Sequence, residues 1–332
     1  MTIKDIAKQC SVSRVLNDRP DVSEDVRRKV LNAIKNSNYI PNNSARDLVR
    51  TKSDAIGLIV RGVSNPFYTD IIRAIERTIT DAGFTMVMQQ IGACDDEVKC
   101  GAVMEREKRL QGIVFLGGRF DYTPADLAML NVPFVCCSYS NRYGTLIEGE
   151  YSSVSIADGD TAQQAVEELY RHGHRRIAAL ISRPNDQSIS QLRYEGYVQA
   201  LESHGIPVDP ELVISTGGFD VRDAYSAVKA ALERGADFTA LFAIADSMAI
   251  GAMRALMDAG RRIPEDCSVI AIDGLELSAY IEPPLTTLCQ PMEEMGRRSA
   301  EILLDMVRHK GSHACELLPT TLRQGRSVAA PG

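Results

Sequence analysis

From Ala55 onward the chain repeats one pattern, in which a short apolar run is followed by an amphipathic helical stretch and then by another apolar run. Candidate strands fall at residues 55–60, 84–89, 112–116, 133–137, 154–157, 177–182, 212–216, 240–243, 269–272 and 286–290. Helical patterns lie between most of them. Ile71, Ile72, Ile75 and Ile79 form a stripe at helical spacing that stops before Gly83, and Gly173 and Gly205 end two further helical patterns. Glycine supplies the left-handed residue that closes a helix. Repeated βα units require crossover connections, so they build mostly parallel sheets covered by helices on both faces. Two runs of such units predict two doubly wound α/β lobes.

In open sheets of this kind, ligands bind in loops at the carboxyl ends of the strands. Polar and aromatic residues fall at such places: Ser64-Asn65-Pro66-Phe67-Tyr68, Arg193, Gly217-Gly218-Phe219-Asp220, Ala245-Asp246 and Asp273-Gly274. Aromatic rings stack on sugar faces, while Asp and Arg bind vicinal hydroxyls through charge-assisted hydrogen bonds. Each residue also has a plainer reading. Phe67, Tyr68 and Phe219 suit a core, Arg193 a surface ion pair, and Asp273 a turn beside Gly274.

The first 52 residues differ from the rest. They hold eleven Lys and Arg against six acids, whereas the whole chain carries a net charge of −7. A basic module therefore precedes a body of net charge −12, a division suited to phosphate binding by the module alone. Thr2 and Asp5 fit a capping box, with Ile3, Ile6 and Ala7 behind it. Val12, Val15 and Leu16 form an inward set, and Ser23 caps a helix with Val26, Val30, Leu31 and Ile34 on one face. Glu24 and Asp25 suit that helix's positive end. No apolar run is long enough to span a membrane, the start lacks a signal-peptide core, and the eight cysteines form no C-x-x-C pair. A cytoplasmic chain with reduced thiols is expected.

The segments Thr2-Ile3-Lys4-Asp5-Ile6-Ala7-Lys8, Val12-Ser13-Arg14-Val15-Leu16-Asn17, Val22-Ser23-Glu24-Asp25-Val26 and Tyr39-Ile40-Pro41-Asn42 together resemble the head of the lactose/galactose repressor (LacI/GalR) family. The resemblance implies a helix-turn-helix at 1–40, a hinge helix and linker at 41–53, and an effector-binding, dimerising body at 54–332. It implies DNA contacts from Thr2, Ser11, Ser13, Arg14, Asn17, Ser23, Tyr39, Asn42 and Ala45, with Leu48 as a wedge in the minor groove. One departure stands out. About five residues of the family's turn and recognition-helix start are missing between Cys10 and Ser11. Either residues have been lost from the sequence as written, or the head is truly shortened and its sequence-specific binding impaired.

The resemblance continues through Ser64–Tyr68, Gly173-His174-Arg175-Arg176-Ile177-Ala178, Asp246-Ser247-Met248-Ala249-Ile250-Gly251-Ala252 and Pro284-Leu285-Thr286-Thr287. It implies a periplasmic-binding-protein-like body, with a first lobe at about 54–153 and 286–315 and a second at about 154–285 and 316–332. Phe67, Tyr68, Ser138, Arg193, Phe219, Ala245 and Asp273 would line the effector cleft. Ser138 stands where many relatives have Asp, Ala245 where some have Asn, and Ala157 replaces a common acid with Asp158 beside it. The implied partners are a near-palindromic operator, a small polar effector such as a sugar, and a second copy of the chain, with its interface around residues 68–79 and 95–108. No C-terminal heptad segment follows, so the tetramerising coil of some relatives is not expected. No cofactor and no enzyme motif is expected either. The alternative is a sugar sensor without DNA binding.

Overall fold

The computed structural model describes residues 15, 22–36, 53–62, 66–92, 95–147, 149–183, 187–309 and 311–332. It divides into two compact units, Met1–Ser53 and Asp54–Gly332. In the first unit, helix α1 (Glu24–Asn36) starts directly after Ser23, whose carbonyl accepts from Arg27 N at 3.0 Å. Val15 and Val30 are buried there. Asp25 pairs with Arg28 and Lys29 on the exposed face, contacts worth little in water.

The second unit holds two six-stranded sheets. Strands β1 (Ala55–Arg61), β2 (Thr85–Ile91), β3 (Gly112–Leu116), β4 (Phe134–Cys137), β5 (Ser153–Ser155) and β11 (Cys315–Leu317) form the first, in the order β11-β5-β4-β3-β1-β2. All its pairings are parallel. The second contains β6 (Ile177–Ile181), β7 (Val213–Ser215), β8 (Ala240–Ala243), β9 (Ser268–Asp273), β10 (Thr286–Cys289) and β12 (Thr321–Arg323), ordered β12-β10-β9-β8-β6-β7. Only β10–β12 is antiparallel. The central strands are buried along their whole length, as in β3 and β6, which is why they read as continuous apolar runs rather than alternations.

Helices α2 (Tyr68–Asp81), α3 (Glu97–Lys108) and α4 (Pro124–Leu127) belong to the first lobe. Helices α5 (Asp158–Arg171), α6 (Ile189–Ser203), α7 (Val221–Glu233) and α8 (Asp246–Asp258) belong to the second, and α9 (Met292–His309) returns to the first. The isoleucine stripe does what its spacing predicts, with Ile71, Ile75 and Ile79 fully buried. Helix pairs approach closely at glycine. A Cβ on Gly296 in α9 would lie 2.5 Å from Ile71 O in α2, and one on Gly196 in α6 would lie 2.1 Å from Gly159 O in α5.

The lobe boundaries expected from the sequence need correction. Residues 286–290 are expected in the first lobe, yet Thr286–Cys289 pairs with β9 in the second sheet, Thr286 opposite Ile270. The chain returns to the first lobe only after it, and Met295 O lies against the Cys137 thiol. Ser153–Ser155 and Cys315–Leu317 extend the first sheet past the expected crossings. The apolar character of a strand shows that it is buried, but not which of two similar sheets it joins. Strands β11 and β12 have three residues each, too few for a periodic signal. Among the described residues, no helix is long and apolar enough to cross a membrane.

Candidate effector cleft

The carboxyl edge of the second sheet is organised around Arg193, on α6. Its side chain is 3% exposed, so an uncompensated guanidinium there would be strongly unfavourable. It is engaged through Nε and Nη1. Nε donates to Asp158 Oδ1 at 2.9 Å, while Nη1 donates to Ile244 O and, at 3.3 Å, to Asp273 Oδ1. Gln290 Nε2 donates to that same Asp273 oxygen at 2.8 Å. Burial disfavours the Arg193 charge, but Asp158 and Asp273 outweigh it and hold the guanidinium protonated.

The carboxylates are less well compensated. Burial raises Asp158 despite Arg193. Burial also pushes Asp273 up to about 7; Arg193 and Gln290 resist this, and neighbouring Asp246 adds to it. One cation shared by two buried acids explains why it is stabilised while each acid is not. Asp273 has a backbone φ of 137°, an unfavourable conformation held by its surroundings. Its Oδ2 and Gln290 Oε1 are buried without a hydrogen-bond partner.

Asp246, beside the expected cleft position Ala245, is a structural latch. It is fully buried and accepts from Leu275 N at 2.8 Å, Ser278 Oγ at 2.6 Å and Thr287 Oγ1 at 2.5 Å. It ties the start of α8 to the loop after β9 and to β10.

Tyr68, at the start of α2, reaches this region from the first lobe. Burial pushes its phenol up to about 12; Cys137 and Asp273 add to the shift, and Arg61 and Arg193 oppose it. Its hydroxyl therefore sits in the field of charges from both lobes. Gly117 makes room for it, since a Cβ there would lie 2.6 Å from the Tyr68 hydroxyl. Phe67 precedes the helix, is 3% exposed, and packs its ring 5.6 Å from that of Tyr68. Ser138 follows β4 in a left-handed conformation (φ 55°), is buried, and donates its N–H to Val154 O. Ala245 is buried at the start of α8; Phe219 is half-buried, and its carbonyl accepts from Ser247 Oγ.

The structure thus brings Tyr68, Arg193 and Asp273 into one electrostatic neighbourhood. Asp158 and Gln290 belong with them but were not among the sequence candidates. Asp158 lies 35 positions from Arg193 and Gln290 lies 17 from Asp273, so neither pairing has a local spacing to reveal it. Of the expected DNA contacts, Ser23 is exposed ahead of α1. Thr2, Ser11, Ser13, Arg14, Asn17, Tyr39, Asn42, Ala45 and Leu48 lie outside the described residues, as does the Cys10–Ser11 junction.

Two family models match the chain: bacterial regulatory proteins, lacI family, over residues 2–42, and a periplasmic binding protein-like domain over residues 166–328. The chain is 39% identical to the HTH-type transcriptional regulator MalR of Clostridium butyricum, covering 97% of both chains. It is 32% identical to the HTH-type transcriptional repressor CytR of Escherichia coli K12, covering 96% of this chain and 94% of that one. Among solved structures, the complex of the transcriptional regulator CelR with cellobiose superposes with a TM-score of 0.74 at 31% identity, covering 95% and 94% of the two chains. The lac repressor dimer bound to operator and the anti-inducer ONPF superposes with a TM-score of 0.80 at 26% identity over 99% of both. With a lacI-type module ahead of a two-lobed periplasmic-binding-protein-like body, and full-length relatives that regulate transcription rather than catalyse reactions, the chain belongs to the LacI family of DNA-binding transcription regulators.

Proposed function

We propose that this regulator acts in the cytoplasm as a homodimeric repressor of a near-palindromic operator, and that a neutral sugar bound between its lobes sets its operator affinity. The observation that carries the effector reading is the Arg193–Asp273–Gln290 cluster. It is charged, buried and held in place, with Asp273 Oδ2 and Gln290 Oε1 left unpaired. An ionised carboxylate accepts hydroxyl protons and a guanidinium donates, the pairing that vicinal hydroxyls need. The cellobiose complex of a structural relative supports a sugar.

In the head, Arg14 reads bases or phosphates and Thr2, Ser13, Asn17 and Ser23 hold the backbone, with Leu48 of the hinge as the wedge. One head makes too few contacts for tight specific binding, so two copies are needed. Exposed Met88 and Val103 on the first lobe, and Leu277 and Tyr280 on the second, offer apolar surface to the second copy. Lobe closure on the effector then changes the spacing of paired hinges and so the operator affinity.

The test is fluorescence anisotropy on duplexes selected by the protein from a randomised pool, with and without glucose, ribose, maltose and cellobiose. Binding is expected to weaken steeply with salt, and one sugar should shift the affinity by about tenfold or more. The direction of the shift separates induction from corepression. Sugar binding without attachment to any duplex at low salt would identify a sensor that lacks DNA binding. Duplex binding indifferent to every sugar would reject the effector reading.

A further inference from the structure

The connection after β4 is fastened to the first lobe and reaches the second. Tyr143 N donates to Phe120 O and Thr145 N to Tyr122 O, both at 3.0 Å, so alternate residues of the connection pair with the segment after β3. Asn141 fixes the bend. Its Oδ1 accepts from the Tyr139 hydroxyl at 2.8 Å, its Nδ2 donates to Leu146 O at 3.1 Å, and its carbonyl accepts from Gly144 N at 3.2 Å. The bend is closely packed, since a Cβ on Gly144 would lie 2.2 Å from Asn141 Oδ1 and 2.4 Å from Tyr122 O. Residues 139–146 thus form a strap held by first-lobe backbone. Across from it stands α6 of the second lobe. The Tyr143 hydroxyl donates to Glu195 Oε1 at 3.1 Å, and Gln191 Nε2 donates to the same oxygen at 3.2 Å. Earlier in α6, Ile189 and Leu192 pack against the first-lobe cluster of Phe120, Tyr122 and Tyr139, as do Tyr143 and Leu146 of the strap. Ile189, Leu192 and Glu195 recur every third residue and share one side of the helix. The helix itself is tied into the second lobe, where the Tyr197 hydroxyl donates to Ile177 O at 2.8 Å and Arg193 bonds to Asp158 and Asp273.

We infer that Tyr143 and Glu195 form a latch between the lobes, which acts with the apolar seat of Ile189 and Leu192 to hold the lobes together before any effector arrives. A phenol that donates to a carboxylate makes a charge-assisted bond, stronger than one between neutral groups. Both side chains are half-buried, so water competes for them less than at an open surface. The apolar seat is non-directional and tolerates sliding. The bond is directional and is lost once donor and acceptor part beyond about 3.5 Å. Each end is fixed to its own lobe, the phenol by the strap and the carboxylate by Gln191, so the bond survives only while the lobes stay close. Glu195 also lies two residues after Arg193, which places the latch and the polar cluster of the cleft on the same part of α6. The fraction of molecules with the lobes together sets the apparent affinity of whatever binds between them. The latch is a device for setting that fraction.

Native-state hydrogen exchange of the full chain, without sugar or DNA, tests this with wild type, Tyr143→Phe, Glu195→Ala and the double variant. Tyr143→Phe keeps the ring and its packing, so the urea midpoint should stay in place. The amides of residues 189–195, on the opposite lobe, should still exchange about threefold to tenfold faster, and those of residues 141–147 with them. Glu195→Ala should give the same pattern from the other side. The double variant should be no faster than either single one, because all three lose the same bond. Faster exchange confined to the lobe that carries the substitution, effects that add in the double variant, or exchange unchanged throughout would each overturn the latch. Neither sugar nor operator enters the measurement, so a failed latch leaves the effector reading standing, and a failed effector reading leaves the latch standing.

Discussion

The two walls of the cleft are built from the same parts and finished differently. Each lobe has a six-stranded sheet with helices on both faces, and each places an arginine and a carboxylate at the carboxyl edge. On the second lobe Arg193 is bonded to Asp158, Ile244 O and Asp273, and Asp246 locks the loop behind it. On the first lobe Arg61 and Glu97 face each other at 3.5 Å without a hydrogen bond. Both walls keep buried polar atoms without a hydrogen bond, Asp273 Oδ2 and Gln290 Oε1 on the second lobe and Arg61 Nε, Glu97 Oε2 and the Tyr122 hydroxyl on the first, so the walls differ in how many bonds fix the arginine. The contrast is between an arginine bonded to three groups and one that meets a single carboxylate without a hydrogen bond.

The largest expected break in this contrast is Arg193→Ala. It strands two buried carboxylates and should destabilise the body by about 3–5 kcal/mol, read as a lower urea midpoint, whereas Tyr122→Phe on the opposite wall should leave that midpoint in place. A midpoint unchanged by Arg193→Ala would show that the Arg193 network is not structural. Asp246→Ala comes next. It leaves the Leu275 N–H and the Ser278 and Thr287 hydroxyls without their acceptor and should cost about 3 kcal/mol, with native-state hydrogen exchange rising first in the loop after β9.

The smallest effect is a pH slope. The folded chain holds the Asp273 proton up to about 7 against an ordinary 3.8, so between those values it binds more protons than the unfolded chain. The stability from this group is full below 3.8 and is lost as pH rises through about 7. His174, fixed by Thr239 Oγ1 and Ala329 O, is held below its ordinary 6.5 by burial. It acts the opposite way, and its stability is lost as pH falls below 6.5. Melting curves of wild type minus Asp273→Asn from pH 4 to 8 isolate the first term, and a flat difference would place the Asp273 pKa at its ordinary value.

Part of the candidate cleft was legible because it uses loops at strand ends. Tyr68, Arg193 and Asp273 stood at such ends with the family's spacing, and each lies in the wired neighbourhood. Phe67 and Phe219 kept more of the plainer role the sequence allowed them, packing against the hydrophobic core. Glu97 carries no signal of its own in the sequence, because an acid in the first turn of a helix is ordinary. Asp158 stands beside the position of a missing acid, and nothing near it in sequence announces Arg193, 35 positions away.

The amino-acid order alone determined the βα alternation, the stripe that buries Ile71, Ile75 and Ile79, the helix beginning after Ser23, and the separation of a basic module from an acidic body. These depend on backbone geometry and on neighbours within a few residues, so they can be read locally. Tertiary structure alone decided that Thr286–Cys289 joins the second sheet, that two three-residue strands close the sheet edges, and that Arg193 meets Asp158 and Asp273 while Arg61 meets Glu97. Those outcomes depend on which distant surfaces bury each other, and a charge removed from water takes its partner from whatever the packed fold brings within reach.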